Sequence, residues 1–228
     1  MKIHNLVKAI GNFTLRVDEL TFAPGVAYGL IGPNGCGKTT LLKLIAGLLT
    51  PDGGIIDREG LTGRDITMAP RKPYFLHDTV YRNLTYPLSL RGIKPDKDML
   101  DYYLELADLS DKQKQYAPSL SSGEQQKLSL IRAMIFSPKF ILIDEALSNL
   151  DMESSMLFER EILERQTRAP VTYVICSHQL SHIQRLCGYV YFMWGGRIEA
   201  GGPAHDVLLR SDNPNLRKYM QYASMQGG

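Results

Sequence analysis

The stretch over residues 32–40 constrains the fold more than any other part of this 228-residue chain. It has the sequence Gly-Pro-Asn-Gly-Cys-Gly-Lys-Thr-Thr and matches the pattern G-x-x-x-x-G-K-[ST]. The apolar residues 26–31 before it predict a strand, and residues 41–49 after it are apolar at helical spacing. Glycines let successive N–H groups turn towards one anion, and the helix adds the positive end of its dipole. The sequence therefore predicts a phosphate-binding loop between a strand and a helix.

The side chains of this loop carry chemistry that suits a nucleotide. Lys38 can reach the β- and γ-phosphates, and the Thr39 hydroxyl can ligate Mg²⁺. Cys36 lies among inward-pointing N–H groups near Lys38, which predicts a reactive thiolate, unless the thiol is buried and inert. The predicted nucleotide-binding residues are Gly32, Pro33, Asn34, Gly35, Cys36, Gly37, Lys38, Thr39 and Thr40.

Composition narrows the class of protein. With 44% hydrophobic residues, 22% charged residues and a net charge of +2, the chain resembles an ordinary globular protein, and no charge excess predicts nucleic-acid binding. No window approaches the run of about 20 apolar residues that spans a bilayer, and the start lacks the apolar core of a secretory signal. Three cysteines make no disulfide framework, so we expect a reducing cytoplasm.

Hydrophobic patterning predicts an α/β fold. Residues 1–78 and 138–228 predict an α/β core that includes an antiparallel β subdomain, and residues 79–137 predict an inserted helical subdomain. Alternation near the N-terminus indicates an antiparallel sheet, whereas continuous apolar runs later indicate parallel strands buried on both faces. The predicted strands are residues 2–7, 13–17, 20–22, 55–57, 65–68, 140–145 and 171–176, with a hairpin over 189–193 and 197–199.

Two further stretches could serve a nucleotide. An apolar strand ends in Asp144 and Glu145, where one carboxylate could hold Mg²⁺ and the other could activate water. The alternative is an acidic strand end that caps a helix. Residues 120–126 form a Ser–Gly turn that opens a helix and could bind a second anion. The alternative there is a plain capping box of Ser121 and Glu124.

Taken together, these motifs resemble those of ABC-type ATPases. Residues 32–40 resemble the Walker A motif, residues 120–126 the signature motif Leu-Ser-Gly-Gly-Gln, and residues 141–145 the Walker B motif. Residues 148–151 resemble the D-loop, and residues 176–178 the loop that carries the switch histidine. The resemblance covers nearly the whole chain in matching order. It implies a P-loop NTPase core with a mostly parallel sheet, an N-terminal antiparallel β subdomain and an inserted helical subdomain.

The resemblance implies a role for each matching residue. Lys38 and Thr39, with Thr40, would bind nucleotide phosphates and Mg²⁺, and Asp144 would be the other Mg²⁺ ligand. Glu145 would be the general base, and His178 would contact the γ-phosphate. The residues expected to act at the nucleotide of an opposite subunit, or at the seam between subunits, are Ser121, Ser122, Gly123, Glu124 and Asp151.

The sequence departs from the family pattern at several positions. Ser122 replaces a glycine, Glu124 a glutamine and Ala146 a proline, and these changes are mild. The aromatic residue that stacks on adenine would fall near Ile10, which is not aromatic. Arg71 occupies the place of the Q-loop glutamine. Because a guanidinium neither deprotonates nor ligates a metal, Arg71 puts Mg²⁺ coordination at that position in doubt.

The resemblance implies an ATP-hydrolysing subunit of a transporter of the bacterial importer type. ATP and Mg²⁺ would be its cofactors, and its partners would be a second copy or a related ATPase subunit and integral membrane permease subunits. Tyr74, Phe75 and Tyr81 are expected to offer a partly exposed groove to the permease, or else to form subdomain core. The chain would lie at the cytoplasmic face of the inner membrane, without nucleic acid.

The solute and the competing functions stay open at this point. The end of the chain loosely resembles subunits that serve phosphate, tungstate or molybdate import. The alternatives are a soluble ABC ATPase without a transport role and an ATP-binding regulator whose hydrolysis Arg71 has impaired.

Overall fold

The structure, a computed structural model, describes residues 1–226 and contains two β-sheets. The first sheet is antiparallel, with strand order β2-β1-β4; its strands are β1 (Lys2–Ile10), β2 (Phe13–Thr21) and β4 (Gly53–Asp57). The second sheet has six strands in the order β5-β6-β7-β3-β8-β9. These are β3 (Ala27–Ile31), β5 (Ile66–Ala69), β6 (Phe140–Asp144), β7 (Thr172–Cys176), β8 (Tyr189–Trp194) and β9 (Arg197–Pro203). All neighbours in it are parallel except β8 and β9, which form the predicted hairpin.

One strand replaces two that the sequence predicts. Residues 13–17 and 20–22 were expected to be separate strands, and this is wrong, because β2 runs unbroken from Phe13 to Thr21. Asp18 and Glu19 keep their side chains exposed inside the strand, while β1 pairs with β2 from Lys2–Thr21 to Ile10–Phe13, with Asn5 and Asp18 as the only unpaired positions between these ends. Ladder hydrogen bonds to β1 therefore outweigh the weak strand propensity of two acidic residues.

Helices surround the six-stranded sheet. They are α1 (Lys38–Ile45), α2 (Val80–Ser89), α3 (Lys97–Leu106), α4 (Ser122–Met134), α5 (Met152–Arg168), α6 (Leu180–Leu186), α7 (Ala204–Arg210) and α8 (Pro214–Gln226). Helices α2 to α4 follow β5 and precede β6, where the sequence predicts helical structure. The Thr79 and Asp96 side chains accept backbone N–H groups at the starts of α2 and α3, so local sequence sets where these helices begin. Within residues 1–226, none of the helices is long and apolar enough to cross a membrane.

The six-stranded sheet is covered on both faces. Ile141 and Ile143 of β6 pack into a core cluster with helices α2 to α5, whereas Phe140 and Leu142 pack with the antiparallel sheet and α1. Alternate residues of one strand point to opposite faces, so both sets must be apolar. This confirms the inference that continuous apolar runs mark strands buried on two sides.

Candidate functional site

Several of the predicted site residues lie at one edge of the six-stranded sheet. Strands β3, β6 and β7 are parallel, and β7 lies between the other two. Cys176 at the end of β7 pairs with Leu30 on one side and with Asp144 on the other. The segments that follow these three strands therefore meet at their carboxyl ends, where open α/β sheets bind ligands.

The phosphate-binding loop has the backbone that its glycines allow. Gly32 has a φ of 148°, and a Cβ there would lie 2.1 Å from the carbonyl oxygen of Met193. Gly37 has a φ of 110° immediately before α1, a conformation that L side chains rarely adopt. The buried Lys38 folds back over the loop and donates to the carbonyl oxygens of Gly32 (2.7 Å) and Pro33 (3.0 Å). The ammonium group is thereby held at the loop of residues 32–40, whose backbone N–H groups are predicted to point towards one anion.

Cys36 fits the buried alternative that the sequence left open rather than the predicted thiolate. Its side chain is buried, and burial raises the pKa of the thiol, although Lys38 acts in the opposite direction. The Lys38 ammonium lies 4.0 Å from the sulfur and is already bonded to two carbonyl groups. Desolvation therefore outweighs the nearby positive charge, and the expectation of a thiolate is wrong.

Thr39 and Asp144 form a pair that could hold a divalent metal ion. The Thr39 hydroxyl donates to the Asp144 carboxylate and lies 2.9 and 3.1 Å from its two oxygens. Burial raises the pKa of Asp144, and the hydrogen bond from Thr39 opposes that shift. Residues 1–226 contain no cluster of three or more His, Cys, Asp or Glu side chains that could hold a metal alone. The pair fits Mg²⁺, which prefers oxygen ligands and completes its shell with substrate phosphates and water.

Glu145 lies between two basic side chains. Its Oε2 is 3.2 Å from Arg71 Nε and 3.7 Å from His178 Nδ1. The Glu145 side chain is only 7% exposed, whereas those of Arg71 and His178 are more than half exposed. Glu145 also has a φ of 54°, and non-glycine residues in this region often mark functional sites. Arg71, which lies in the loop after β5, therefore points into the site rather than away from it.

The predicted signature residues make local contacts in this single chain. Ser121 and Glu124 form a complete capping box at the start of α4. This is the alternative that the sequence left open beside an anion-binding turn. An ion pair with Lys112, together with the Ser121 hydrogen bonds, lowers the pKa of Glu124 to about 2. Ser121 and Ser122 are exposed, and Gly123 is half-buried. These contacts leave the predicted action at a second subunit as a proposal.

Asp151 also has a local role. It caps α5 by accepting from the Ser154 backbone N–H at 2.8 Å and from the Ser154 hydroxyl at 2.7 Å. The backbone hydrogen bond is the main cause that lowers the pKa of Asp151. The carboxylate is exposed, so its predicted place at a subunit seam stays a prediction.

Sequence reasoning missed His182, which supports the segment that carries His178. Its Nδ1 lies 3.2 Å from the Ser177 hydroxyl and its Nε2 lies 3.3 Å from the Ser155 hydroxyl of α5. The ring is buried, and burial lowers its pKa. Ser177 in turn lies 3.1 Å from Ser148, which follows the acidic strand end. A second histidine four residues after His178 was the one signal available in the sequence.

The fold and the site together define a P-loop nucleoside triphosphatase. The family model described as ABC transporter matches residues 15–148. The tungstate uptake system ATP-binding protein of Peptoclostridium acidaminophilum is 36% identical, over 88% of this chain and 97% of that protein. The Fe(3+) ions import ATP-binding protein of Pasteurella multocida is 32% identical, over 99% of this chain and 68% of its own length. The chain therefore belongs to the ABC transporter family, as one of its ATP-binding subunits.

Two further comparisons agree with this assignment. A methionine import ATP-binding protein of Pseudomonas fluorescens is 33% identical, over 94% of this chain and 68% of its own length. The solved "Structure of ATP binding subunit of ABC transporter" superposes with a TM-score of 0.83 at 21% identity, over 98% of both chains, and supports the fold. The family resemblance, the fold class and the assignment as an ATPase are thus confirmed.

Proposed function

We propose that this chain hydrolyses ATP to drive import of an oxyanion of the tungstate class through separate membrane subunits. The ATPase activity is supported by one observation: the Thr39–Asp144 pair, Glu145 and His178 lie together at one edge of the sheet. The observation that favours tungstate is similarity: the tungstate relative is 36% identical to this chain, whereas the iron and methionine relatives are 32% and 33% identical.

Each residue of the site has a role in ATP binding or hydrolysis. The loop N–H groups and Lys38 would hold the β- and γ-phosphates, and Thr39 and Asp144 would hold Mg²⁺. The ion would neutralise charge that develops on the phosphate oxygens. Glu145 accepts a proton from the attacking water, and His178, whose ring lies next to Glu145, donates a hydrogen bond to the γ-phosphate.

Arg71 controls when Glu145 is available. The guanidinium lies at the carboxylate oxygen that also faces His178. That oxygen is one of the two with which Glu145 can accept a proton from water, so both oxygens become available only when the ion pair opens or moves. Arg71 is mostly exposed and can swing outward at small cost, and the γ-phosphate offers it another negative partner. The departure from the family pattern therefore slows hydrolysis without preventing it.

Two copies of the chain close on two ATP molecules. The exposed hydroxyls of Ser121 and Ser122, at the N-terminus of the 13-residue helix α4, would meet the nucleotide of the opposite copy. Asp151, exposed beside the site, would lie at the seam. The capping box keeps the start of α4 rigid, so these groups are ordered before the second copy arrives.

The permease subunit docks next to the loop that carries Arg71. Tyr74 is 82% exposed and Tyr81 is 40% exposed, so these rings are not subdomain core. Phe75 is half-buried and lies under the guanidinium of Arg132, which is 4.8 Å from the ring centre. Exposed aromatic side chains next to a half-buried one can form the contact surface for a short helix of a membrane partner. This contact would lie at the cytoplasmic face of the membrane. Arg71 and Tyr74 share one loop, so docking and the availability of Glu145 would be linked.

The proposal is tested in two stages. The purified chain should release phosphate from ATP only with Mg²⁺, and Asp144→Asn should abolish this while Asp52→Asn, a remote exposed carboxylate, should not. Cells that carry the chain with its permease should then accumulate labelled tungstate, and Lys38→Ala should stop accumulation. Hydrolysis with uptake of iron or methionine instead would refute only the solute. Magnesium-independent hydrolysis, or none, would refute the chemistry.

A further inference from the structure

A row of buried polar side chains joins helix α5 to the segments that follow strands β6 and β7. It begins at Glu159 of α5, passes through His182 of α6 and Ser177, and ends at Ser148. Glu159, His182 and Ser177 are 6%, 3% and 1% exposed. Leaving one buried donor or acceptor unpaired costs about 1–3 kcal/mol, so each group in the row needs its partner.

Glu159 is an ionised acceptor at one end of the row. Arg185 donates to both of its oxygens, at 2.6 and 2.7 Å. A carboxylate in a bidentate pair with a guanidinium has no proton to give. The Ser155 hydroxyl also donates to Glu159, with 3.4 Å between the two oxygens. The Ser155 oxygen can therefore only accept from any other neighbour.

His182 donates through Nε2 and accepts through Nδ1. Its Nε2 lies 3.3 Å from Ser155 Oγ and 3.5 Å from Glu159 Oε1, and both oxygens act as acceptors towards it. Burial lowers the pKa of the ring below its ordinary value of 6.5, although Glu159 acts in the opposite direction. A neutral imidazole carries one N–H group. Because that group is at Nε2, Nδ1 is an acceptor.

Ser177 supplies the donor that Nδ1 needs. The two atoms are 3.2 Å apart, and Nδ1 has no other hydrogen-bond partner within residues 1–226. The Gln179 carbonyl oxygen also lies 3.2 Å from the Ser177 hydroxyl, but it already accepts from the His182 backbone N–H group. The Ser148 hydroxyl, 3.1 Å from Ser177 Oγ, is then the donor of the last pair in the row.

The two serines lie beside the residues to which a role in hydrolysis is assigned above. Ser177 directly precedes His178, and the Ser148 backbone N–H group donates to the Glu145 carbonyl oxygen at 3.3 Å. The His178 side chain is 53% exposed, so little packing holds it in place. Its position relative to Glu145 therefore depends on the backbone that Ser177 anchors.

We infer that His182 is a positioning residue for ATP hydrolysis: by accepting from Ser177 through Nδ1, it keeps His178 aligned with Glu145. Glu159 sets the tautomer of the ring. The inference rests on the roles proposed above for Glu145 and His178, and it adds a buried residue of α6 that lies outside all the sequence motifs. A displacement of about 1 Å at a reacting group can slow catalysis about 100-fold, so such support has a measurable effect.

The test compares two amide replacements of His182. In His182→Asn the amide lies at the place of Nδ1 and can still accept from Ser177. In His182→Gln it reaches the place of Nε2 and keeps only the contacts with Ser155 and Glu159. We expect His182→Asn to retain most of the wild-type kcat and His182→Gln to lower it about tenfold, with the KM for ATP unchanged. His205→Gln, which replaces an exposed histidine of α7, is the matched control and should change nothing.

Ser148→Ala gives a second measurement that leaves His182 in place. It removes the donor at the other end of the row and should lower kcat about fivefold. The double variant Ser148→Ala/His182→Gln should be no slower than His182→Gln alone, because both changes break the same connection. Unfolding in urea, measured for each variant, shows that the compared chains are folded.

The outcomes separate this inference from the proposed function. Equal losses of kcat in His182→Asn and His182→Gln would show that His182 acts only through packing and would overturn the inference. A wild-type kcat in His182→Gln beside an inactive His178→Ala would overturn it too, while the proposed function would stand. A wild-type chain without ATPase activity, or a fully active His178→Ala chain, would refute the proposed function and this inference with it.

Discussion

Replacing Arg71 with Gln should increase the rate of ATP hydrolysis. The Arg71 Nε and Glu145 Oε2 atoms are 3.2 Å apart, and unit charges at that distance attract by roughly 5 kcal/mol at an effective dielectric of about 20. The Arg71 side chain is 57% exposed, so water and side-chain entropy reduce the net value to about 1 kcal/mol. If the pair must open before Glu145 accepts a proton, its removal should raise kcat about fivefold.

The assay is phosphate release at saturating ATP, with Mg²⁺ titrated for each variant. Arg71→Gln should show the higher kcat and need less Mg²⁺, because a fixed cation no longer competes near the phosphate oxygens, while the affinity for ATP changes little. Arg71→Lys keeps the charge and should stay near wild type. Lys72→Gln removes the neighbouring exposed cation and serves as the matched control.

Two results would refute this account of Arg71. Superimposable curves for wild type and Arg71→Gln would show that the ion pair does not restrain Glu145 during turnover. A lower kcat for Arg71→Gln would show that the guanidinium assists the reaction, as a positive group at the γ-phosphate would.

Three further predictions follow from the site and its supports. Glu145→Gln should abolish hydrolysis but keep ATP binding, because the amide cannot accept the proton, and size-exclusion chromatography with Mg-ATP should then show a stable dimer. Cys36 should react slowly with a maleimide reagent in the native chain and quickly after unfolding, because burial raises the pKa of its thiol; mass spectrometry follows the labelling. Glu124→Gln should lower the free energy of unfolding at pH 6, measured in urea. Because the pKa of Glu124 falls from 4.5 to about 2 on folding, the difference from wild type should fade as pH drops from 4.5 towards 2.

Each of these predictions has a contrary outcome. A Glu145→Gln chain that stays monomeric at high concentration with Mg-ATP would contradict the closed dimer. Fast labelling of native Cys36 that ATP prevents would restore the thiolate expected from sequence. A destabilisation by Glu124→Gln that is unchanged between pH 6 and pH 2 would show that the lost contact is packing rather than the ion pair with Lys112.

The sequence predicted those parts of the molecule that depend on local pattern. The glycine spacing of residues 32–40 requires one backbone shape, and the apolar runs that became β6 and β7 have no stable place except inside a sheet. The family resemblance then supplied the partners of these motifs, such as His178. The proximity of Thr39 to Asp144, 105 positions apart in the chain, follows from parallel pairing once both motifs are recognised.

What the sequence did not predict depends on contacts between distant segments. Cys36 is buried because the core packs over it, and no residue next to it in the chain signals that burial. The direction of Arg71 depends on the position of Glu145, which directly follows the neighbouring strand β6. A cavity lined by Phe22, Tyr102 and Glu161 forms where the antiparallel sheet, α3 and α5 meet, so no single stretch of sequence contains it.

The position of β7 between β3 and β6 has a consequence for how this site can change in evolution. Strands β3 and β6 are two strand spacings apart, about 10 Å, and the main-chain hydrogen bonds of both to β7 set that separation. Buried β7 side chains such as Val174 and Ile175 can therefore be exchanged for other apolar residues of similar volume without moving the two halves of the site. A proline within Thr172–Cys176 would remove ladder hydrogen bonds and change the separation itself. Descendants of this chain should thus vary in the side chains of β7 but keep its length and its pairing on both edges.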